Sequence, residues 1–241
     1  MILEVDAGNT FIKWRYRQGN GAAAASGRWL TRDFSAASLA DCPEVPQQVL
    51  AGSVAGVAFE QALSASVAAV WGVPVRFART ATAAAGVRNS YADPARMGVD
   101  RWLVMLAAWQ RCGQACCIID CGSAITIDLL GAEGEHLGGY ILPGLRLMRQ
   151  VLTGSTAGIL VDRDIEVFSL EPGCDTSSAV AHGTNLMFSS LAQMLPRWLE
   201  QQQTGAPLLV TGGDGALFCE LMGMGELVPD LVLDGLRWAL E

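Results

Sequence analysis

The chain has 241 residues, 51% hydrophobic and 17% charged, a balance that excludes an intrinsically disordered segment and allows one large domain or two modest ones. With 16 basic against 24 acidic residues the net charge is −8, which excludes a nonspecific binder of nucleic-acid backbone. An anionic ligand must then be held by local devices such as backbone amides, helix N-termini, a few arginines or a metal.

The run ILEVD at 2–6 predicts a short strand, broken by Ala7-Gly8-Asn9, and a second run from Thr10 to Tyr16 precedes Gly19 and Gly21, so the chain opens on a hairpin. A strand is expected at Val49–Val54, an alanine-rich helix at Val57–Trp71 and a strand at Val73–Phe77. Residues 79–93 read as a loop and Pro94–Arg111 as a helix with Gly98 near its start. Strands follow at Ala115–Asp120 and Ala124–Leu130, then His136–Leu142, a helix at Leu145–Leu152, and a loop over 154–175. A long helical region from Thr176 to Gln203 is expected to kink or divide at Pro196. A strand at Pro207–Thr211 and a closing helix at Leu231–Leu240 complete an α/β pattern.

Seven cysteines, at 42, 112, 116, 117, 121, 174 and 219, form no Cys-x-x-Cys pair and predict reduced, mostly buried thiols. No basic-then-apolar leader opens the chain, and the most apolar stretch, Trp102–Trp109, is too short to span a bilayer. The expectation is a soluble cytoplasmic protein without membrane or nucleic-acid partners. His136 and His182 fit no metal spacing and no nucleophilic triad, so both are read as structural.

One pattern occurs twice. Asp6-Ala7-Gly8-Asn9-Thr10 ends the first apolar strand, and Asp120-Cys121-Gly122-Ser123-Ala124 ends another half a chain later. Each is a strand, an Asp-x-Gly turn with a hydroxyl nearby, and a second strand, which predicts two similarly built lobes, 1–113 and 114–241. A glycine in such a turn lets the backbone approach a phosphate, and the Asp can hold Mg²⁺ directly or through water. Either turn alone is equally an Asx-type turn that ends a hairpin. Thr211-Gly212-Gly213-Asp214 after a strand fits a nucleotide contact in the same order along the chain, or an ordinary glycine turn. Gly98-Val99-Asp100-Arg101 places a carboxylate beside a guanidinium at a helix start. This is either a cap with a solvated neighbour, or a base for a hydroxyl with a clamp for an anionic substrate.

DAGNT at 6–10, GVDR at 98–101, DCGSA at 120–124, GGYILPG at 138–144 and TGGD at 211–214 together resemble the ordered motifs of type III pantothenate kinases. The resemblance spans the chain and places it with acetate and sugar kinases, heat-shock chaperones and actin. It implies two actin-like (ribonuclease H-like) lobes with mixed sheets and ATP in the cleft between them. It implies a homodimer that uses ATP with Mg²⁺, requires K⁺ or NH₄⁺, and phosphorylates pantothenate in the first step of coenzyme A synthesis.

By that resemblance Asp6, Ala7, Gly8, Asn9, Thr10, Phe11, Ile12 and Lys13 line the ATP phosphates, with Asp6 reaching Mg²⁺ through them. Ser123, where the family commonly has threonine, also contacts ATP. Asp100 is the proton acceptor, Gly98, Val99, Asp100 and Arg101 contact pantothenate, and Asp120 faces the monovalent cation. Tyr91 matches an aromatic substrate contact, and Thr176, seven residues before Gly183, matches a substrate-binding threonine within a loosely matching segment. The apolar excess and the positions Leu186, Met187, Phe188, Leu191 and Leu195 favour a dimer contact from the second half. Rival readings are another small-molecule kinase or a phosphatase of the same superfamily, which share the Asp-x-Gly turns, and a nonenzymatic nucleotide-binding regulator.

Overall fold

The computed structural model describes residues 1–18, 22–155, 158–202 and 205–240. Gly19, Gly21 and Gln203, which bounded expected elements, lie outside the described residues. In chain order the strands are β1 (Ile2–Ala7), β2 (Phe11–Arg17), β3 (Ala23–Leu30), β4 (Gln48–Ser53), β5 (Val75–Phe77), β6 (Ala83–Ala84), β7 (Val87–Arg88), β8 (Cys116–Cys121), β9 (Ala124–Leu130), β10 (His136–Pro143), β11 (Leu208–Thr211) and β12 (Glu226–Leu227). The helices are α1 (Val57–Trp71), α2 (Val99–Cys112), α3 (Leu145–Ser155), α4 (Thr176–Gln202), α5 (Gly215–Met222) and α6 (Leu231–Leu240). The strands make two five-stranded sheets, ordered β3-β2-β1-β4-β5 and β10-β9-β8-β11-β12, and a small hairpin of β6 and β7. Each large sheet sets three consecutive strands beside two that cross over, and each contains one strand, Asp-x-Gly turn and strand of the repeated pattern.

Two compact units carry these sheets. The first is Met1–Gly113 with Leu130–His136 and Asp230–Glu241, and the second is Gln114–Leu129 with Leu137–Pro229. This differs from a simple cut after residue 113, because the C-terminal helix packs in the first unit. Gly235 of α6 lies so close to the backbone of Leu103 in α2 that a Cβ would collide with it, and Arg15 of β2 pairs with Asp230 and Asp234.

In the first unit β1 pairs antiparallel with β2 and parallel with β4. Side chains alternate across the sheet. Leu3, Val5, Ala7, Ile12, Trp14, Val49 and Ala51 pack with Leu63 and Val67 of α1 on one face. The opposite face carries Glu4, Asp6 and Gly52, and the bare Gly52 admits Leu103 of α2 and Leu236 of α6 against the sheet. In the second unit Cys117, Ile119, Ile125, Ile127 and Val210 meet Phe188, Ala192 and Leu195 of α4 and Phe218 of α5.

Several elements differ from the sequence reading. Strand β3 was not anticipated because AAASGRWL is small and polar and its burial reflects an outer position in the sheet. Helix α5 begins directly from the glycine-rich turn and reads as part of it in sequence. The expected helix from Pro94 is interrupted: Pro94–Arg96 is a separate 3₁₀ turn capped by Asp93, whose Oδ1 accepts from Ala95 N at 3.1 Å. Within the expected loop, β6 and β7 join through Ala85 and Gly86, both at positive φ, as a tight hairpin turn requires. Pro196 does not divide α4, which is continuous because core residues on both sides of it, Ala192, Leu195 and Leu199, hold it in place. All seven cysteines are free thiols, and Cys174 is exposed. Among the described residues no helix is long and apolar enough to cross a membrane.

Candidate active site

The first turn is built by strand pairing. Asp6 lies opposite Lys13 on β2 and beside Gly52 on β4, one residue before the end of β1, with its side chain on the face that carries α2. Gly8 N donates to Phe11 O at 3.0 Å, closing a loop whose tip is Asn9 and Thr10. Thr31, just past β3, fastens this loop from outside: its Oγ1 donates to the Gly8 carbonyl at 2.8 Å and its N to the Thr10 carbonyl at 3.0 Å. Ala7 and Ile12 are fully buried, so within 6–13 they offer a ligand only their backbone, while Asn9 and Phe11 are exposed.

The start of α2 lies at the same end of the sheet. Val54, which follows β4, donates its N–H to the Ala7 carbonyl at 3.0 Å, and a Cβ on Gly98 would lie 3.9 Å from Val54 Cγ1. Gly98 caps α2 through its backbone, so Asp100 stands in the first helical turn and is not the N-cap. Its Oδ1 accepts from Arg101 N at 2.8 Å, and a negative side chain at this helix end is favoured by the helix dipole. A Cβ on Gly98 would press on Asp100 Oδ1 and shift that side chain.

Arg101 is only 4% exposed. Its Nη1 donates to the Tyr91 hydroxyl at 2.9 Å and its guanidinium lies 5.7 Å from the centre of the Tyr91 ring. Tyr91 is itself placed by the segment before α2. Asn89 Oδ1 accepts from Tyr91 N at 2.9 Å, and Thr80 Oγ1 donates to the Met97 carbonyl at 2.9 Å. Ser90 Oγ meets His136 Nδ1 at 2.8 Å, and the His136 ring lies 6.2 Å from that of Tyr91. Gly98, Val99, Asp100, Arg101 and Tyr91 are thus brought together, with His136 behind them.

In the second unit the glycine-rich segments converge on the end of β8. Gly122 N donates to Ala124 O at 3.0 Å, and Gly144 N donates to Ser123 O at 3.0 Å, so the GGYILPG segment returns onto the Asp-x-Gly turn. Gly212, at φ 90°, sits against the Cys121 backbone and Asp120 Oδ1 with no room for a Cβ, whereas a Cβ on Gly213 would meet nothing. Asp214 N donates to Cys121 O at 3.0 Å. Burial pushes the Asp214 carboxyl up, with the charge of Arg149 pulling the other way. Arg149, unremarked in the sequence, also donates to Asn185 Oδ1 at 2.8 Å and Thr184 Oγ1 at 3.2 Å, tying α3 to α4.

Thr176 is exposed at the start of α4 and borders a groove of ≈ 660 Å³ with Leu152, Ile159, Cys174, Gly183 and Met187. No residue of the turn after β8 is among the described residues that line this groove. His182 Nδ1 meets the Glu171 carbonyl at 2.6 Å, in keeping with a structural role. Among the described residues no three His, Cys, Asp or Glu side chains gather as a metal cage.

Residues 2–197 match the family described as type III pantothenate kinase. The type III pantothenate kinase of Ectopseudomonas mendocina is 37% identical over 254 residues, and that of Pseudomonas putida strain W619 is 39% identical over 250. Each alignment covers 99% of this chain and 98% of the relative. Among solved structures, the activator of the 2-hydroxyisocaproyl-CoA dehydratase from Clostridium difficile, with bound ADPNP, aligns with a TM-score of 0.53 at 11% identity, covering 99% of this chain and 92% of that one. That likeness shows the actin-like fold alone. With a family match over most of its length and relatives near two-fifths identical from end to end, the chain belongs to the type III pantothenate kinase family.

Proposed function

We propose that the chain transfers the γ-phosphate of ATP to the primary hydroxyl of pantothenate, the first step of coenzyme A synthesis. The observation that carries this reading is the start of α2. There a carboxylate, a buried guanidinium and the Tyr91 hydroxyl meet at the end of the sheet where the Asp6 turn presents its backbone. Phosphoryl transfer asks little covalent chemistry of a protein and much positioning and charge stabilisation. Asp100 orients the attacking hydroxyl and accepts its proton, and Arg101 holds the carboxylate end of pantothenate against Tyr91. The amides and hydroxyls of Gly8–Thr10 hold phosphate oxygens, and Ser123 is assigned to ATP as well. Thr176 takes a polar group of the substrate. Steady-state ADP release in K⁺ buffer tests the reading: it rises with pantothenate, and release that ignores pantothenate would overturn it.

A divalent ion, Mg²⁺, would be carried by the nucleotide phosphates and touched by one carboxylate, Asp6, which is how Mg²⁺ is usually held. When bound, it would offset the charge of the phosphates. Asp120, with Gly212 pressed on its carboxylate, is assigned to a monovalent cation, K⁺ or NH₄⁺. Exchange of K⁺ for Na⁺ at constant ionic strength is therefore expected to lower turnover severalfold or more, and Asp120→Asn to abolish that difference. Equal rates of the unaltered protein in the two salts would remove the assignment. The seven free thiols fit the reducing cytoplasm, where we place the protein.

The second unit supports a homodimer. Leu186, Met187 and Met194 on α4 are half or more exposed, as are Leu137, Tyr140 and Ile141 on β10, and Tyr140 packs edge-on against Trp198 of α4 at 5.6 Å. Phe188 and Leu195 instead belong to the core. An apolar outer strand beside an apolar helix face exceeds what a monomer usually leaves open. A two-fold contact that covers it is the simplest closed solution. Light scattering at micromolar concentration is expected to give the mass of a dimer. Ile141→Asp with Met187→Asp is expected to give a folded monomer, and a wild-type monomer would contradict the assembly.

A further inference from the structure

His136 takes no part in the phosphoryl transfer proposed above, yet it is buried, 3% exposed, against the residues assigned to the substrate. It stands at the start of β10, and the turn before it, which joins β9 to β10, belongs to the first unit. That turn is closed on itself, with Gly131 N donating to Glu135 O at 2.8 Å and Gly134 N to Gly131 O at 3.1 Å. It is also fastened to the β6–β7 hairpin. Arg88 N donates to Gly134 O at 2.9 Å, and Gly134, at φ 76°, lies against the Gly86 carbonyl with no room for a Cβ. A turn tied down in this way presents His136 from a rigid support.

Two contacts lead from His136 to Tyr91. Its Nδ1 lies 2.8 Å from Ser90 Oγ, and its ring centre lies 6.2 Å from that of Tyr91 with the planes 33° apart. One residue earlier, Asn89 N donates to Thr82 O at 2.9 Å and Asn89 Nδ2 to Ala81 O at 3.3 Å. Asn89 is thus tied to residues 81–82 and Ser90 to His136, so Tyr91 follows two anchored residues. Its hydroxyl accepts from Arg101 Nη1 at 2.9 Å, and a displacement of about 1 Å would break that bond. A buried imidazole is costly unless it is hydrogen-bonded, whereas packing alone would be served by an apolar residue of similar volume. The bond to Ser90 therefore calls for a role beyond filling space.

We infer that Ser90 and His136 are positioning residues: their hydrogen bond fixes Tyr91, Tyr91 fixes the Arg101 guanidinium, and the pair so held sets the preference for a substrate that ends in a carboxylate. The inference rests on the kinase reading, in which Arg101 takes the carboxylate end of pantothenate. A guanidinium meets a carboxylate through two parallel donors, so its orientation counts as well as its charge. A neutral hydroxymethyl end lacks the second acceptor and gains less from that orientation.

Steady-state kinetics on the wild-type chain, Ser90→Ala, His136→Phe and His136→Asn test it. Pantothenate is the substrate, and its alcohol analogue, with a hydroxymethyl group in place of the carboxylate, is the competitor. Ser90→Ala and His136→Phe each remove the hydrogen bond, and each is expected to raise the KM for pantothenate about three- to tenfold, the effect of one such bond. The kcat and the KM for ATP are expected to stay near wild type, and the Ki of the alcohol to change far less than the KM for pantothenate. His136→Asn, whose side-chain amide reaches the place of Nδ1, is expected to keep a KM near the wild-type value. A purely structural role lowers Tm and the active fraction, hence kcat, and leaves KM alone. An unchanged KM for pantothenate in Ser90→Ala, a Ki of the alcohol that rises in step with it, or a His136→Asn no better than His136→Phe overturns the inference. Should His136→Phe fail to fold, the exposed Ser90 decides through Ser90→Ala. A wild-type chain without pantothenate-dependent turnover overturns the kinase reading and this inference with it, whereas altered expectations in the variants alone leave that reading standing.

Discussion

Asp100→Asn is expected to lower turnover by roughly 10² to 10⁴ while leaving the fold and nucleotide binding intact, the range typical for removal of a general base. The amide oxygen of asparagine keeps the size of the carboxylate and can still accept from Arg101 N, the 2.8 Å contact made by Oδ1. Gly98 caps α2 by its backbone, so the helix start does not rely on the Asp100 side chain as an N-cap. What the substitution removes is the charge that takes a proton from the attacking hydroxyl. Turnover measured beside thermal melting separates the two roles. A base gives a large rate loss with little change in Tm. If Asp100 only serves the helix dipole, turnover stays near normal and stability falls by about 0.3–1 kcal/mol.

Gly212→Ala is expected to cause the second large loss, in both stability and activity. Gly212 stands at φ 90°, where an alanine is strained, and its Cβ would collide with the Cys121 backbone and with Asp120 Oδ1. Thr211 and Asp120 are partners in the parallel pairing of β11 with β8, so relief requires the ends of those strands to separate and the Asp120 turn to move. Backbone strain of about 1–3 kcal/mol, with overpacking of similar size, lowers Tm by several degrees in a chain of this length. Gly213→Ala is the control, since its Cβ would enter open space. Similar Tm and rate for the two variants would show that the Asp120 turn does not depend on Gly212.

The sequence reading was strongest where local pattern and tertiary role coincide. The opening hairpin, α1, β8, β9 and the recurrence of the Asp-x-Gly turn were legible because apolar alternation and glycine punctuation mark them directly. Strand β3 was not, since AAASGRWL lacks that alternation and is held as a strand by its pairing with β2. Thr31 was missed with it, although it fastens the first turn through two hydrogen bonds. Arg149 carries no local signature either, and its place beside Thr184 and Asn185 exists only once α3 meets α4. The proximity of Tyr91 to Arg101 depends on the folding of the segment between β7 and α2, which spacing alone does not fix. Likewise α6 follows the second sheet in sequence but packs in the first unit, through a contact with Leu103 that only a glycine at 235 permits.

The most direct test follows the phosphoryl group itself. ATP labelled in its γ-phosphate is incubated with the protein and pantothenate in K⁺ and Mg²⁺, and the products are separated and weighed by mass spectrometry. The account predicts that the label appears on pantothenate at its primary hydroxyl, one phosphate for each ADP formed, and that Asp100→Asn lowers this transfer without sending the label elsewhere. Label recovered as inorganic phosphate at a rate indifferent to pantothenate, or no consumption of ATP by a folded protein, would contradict it.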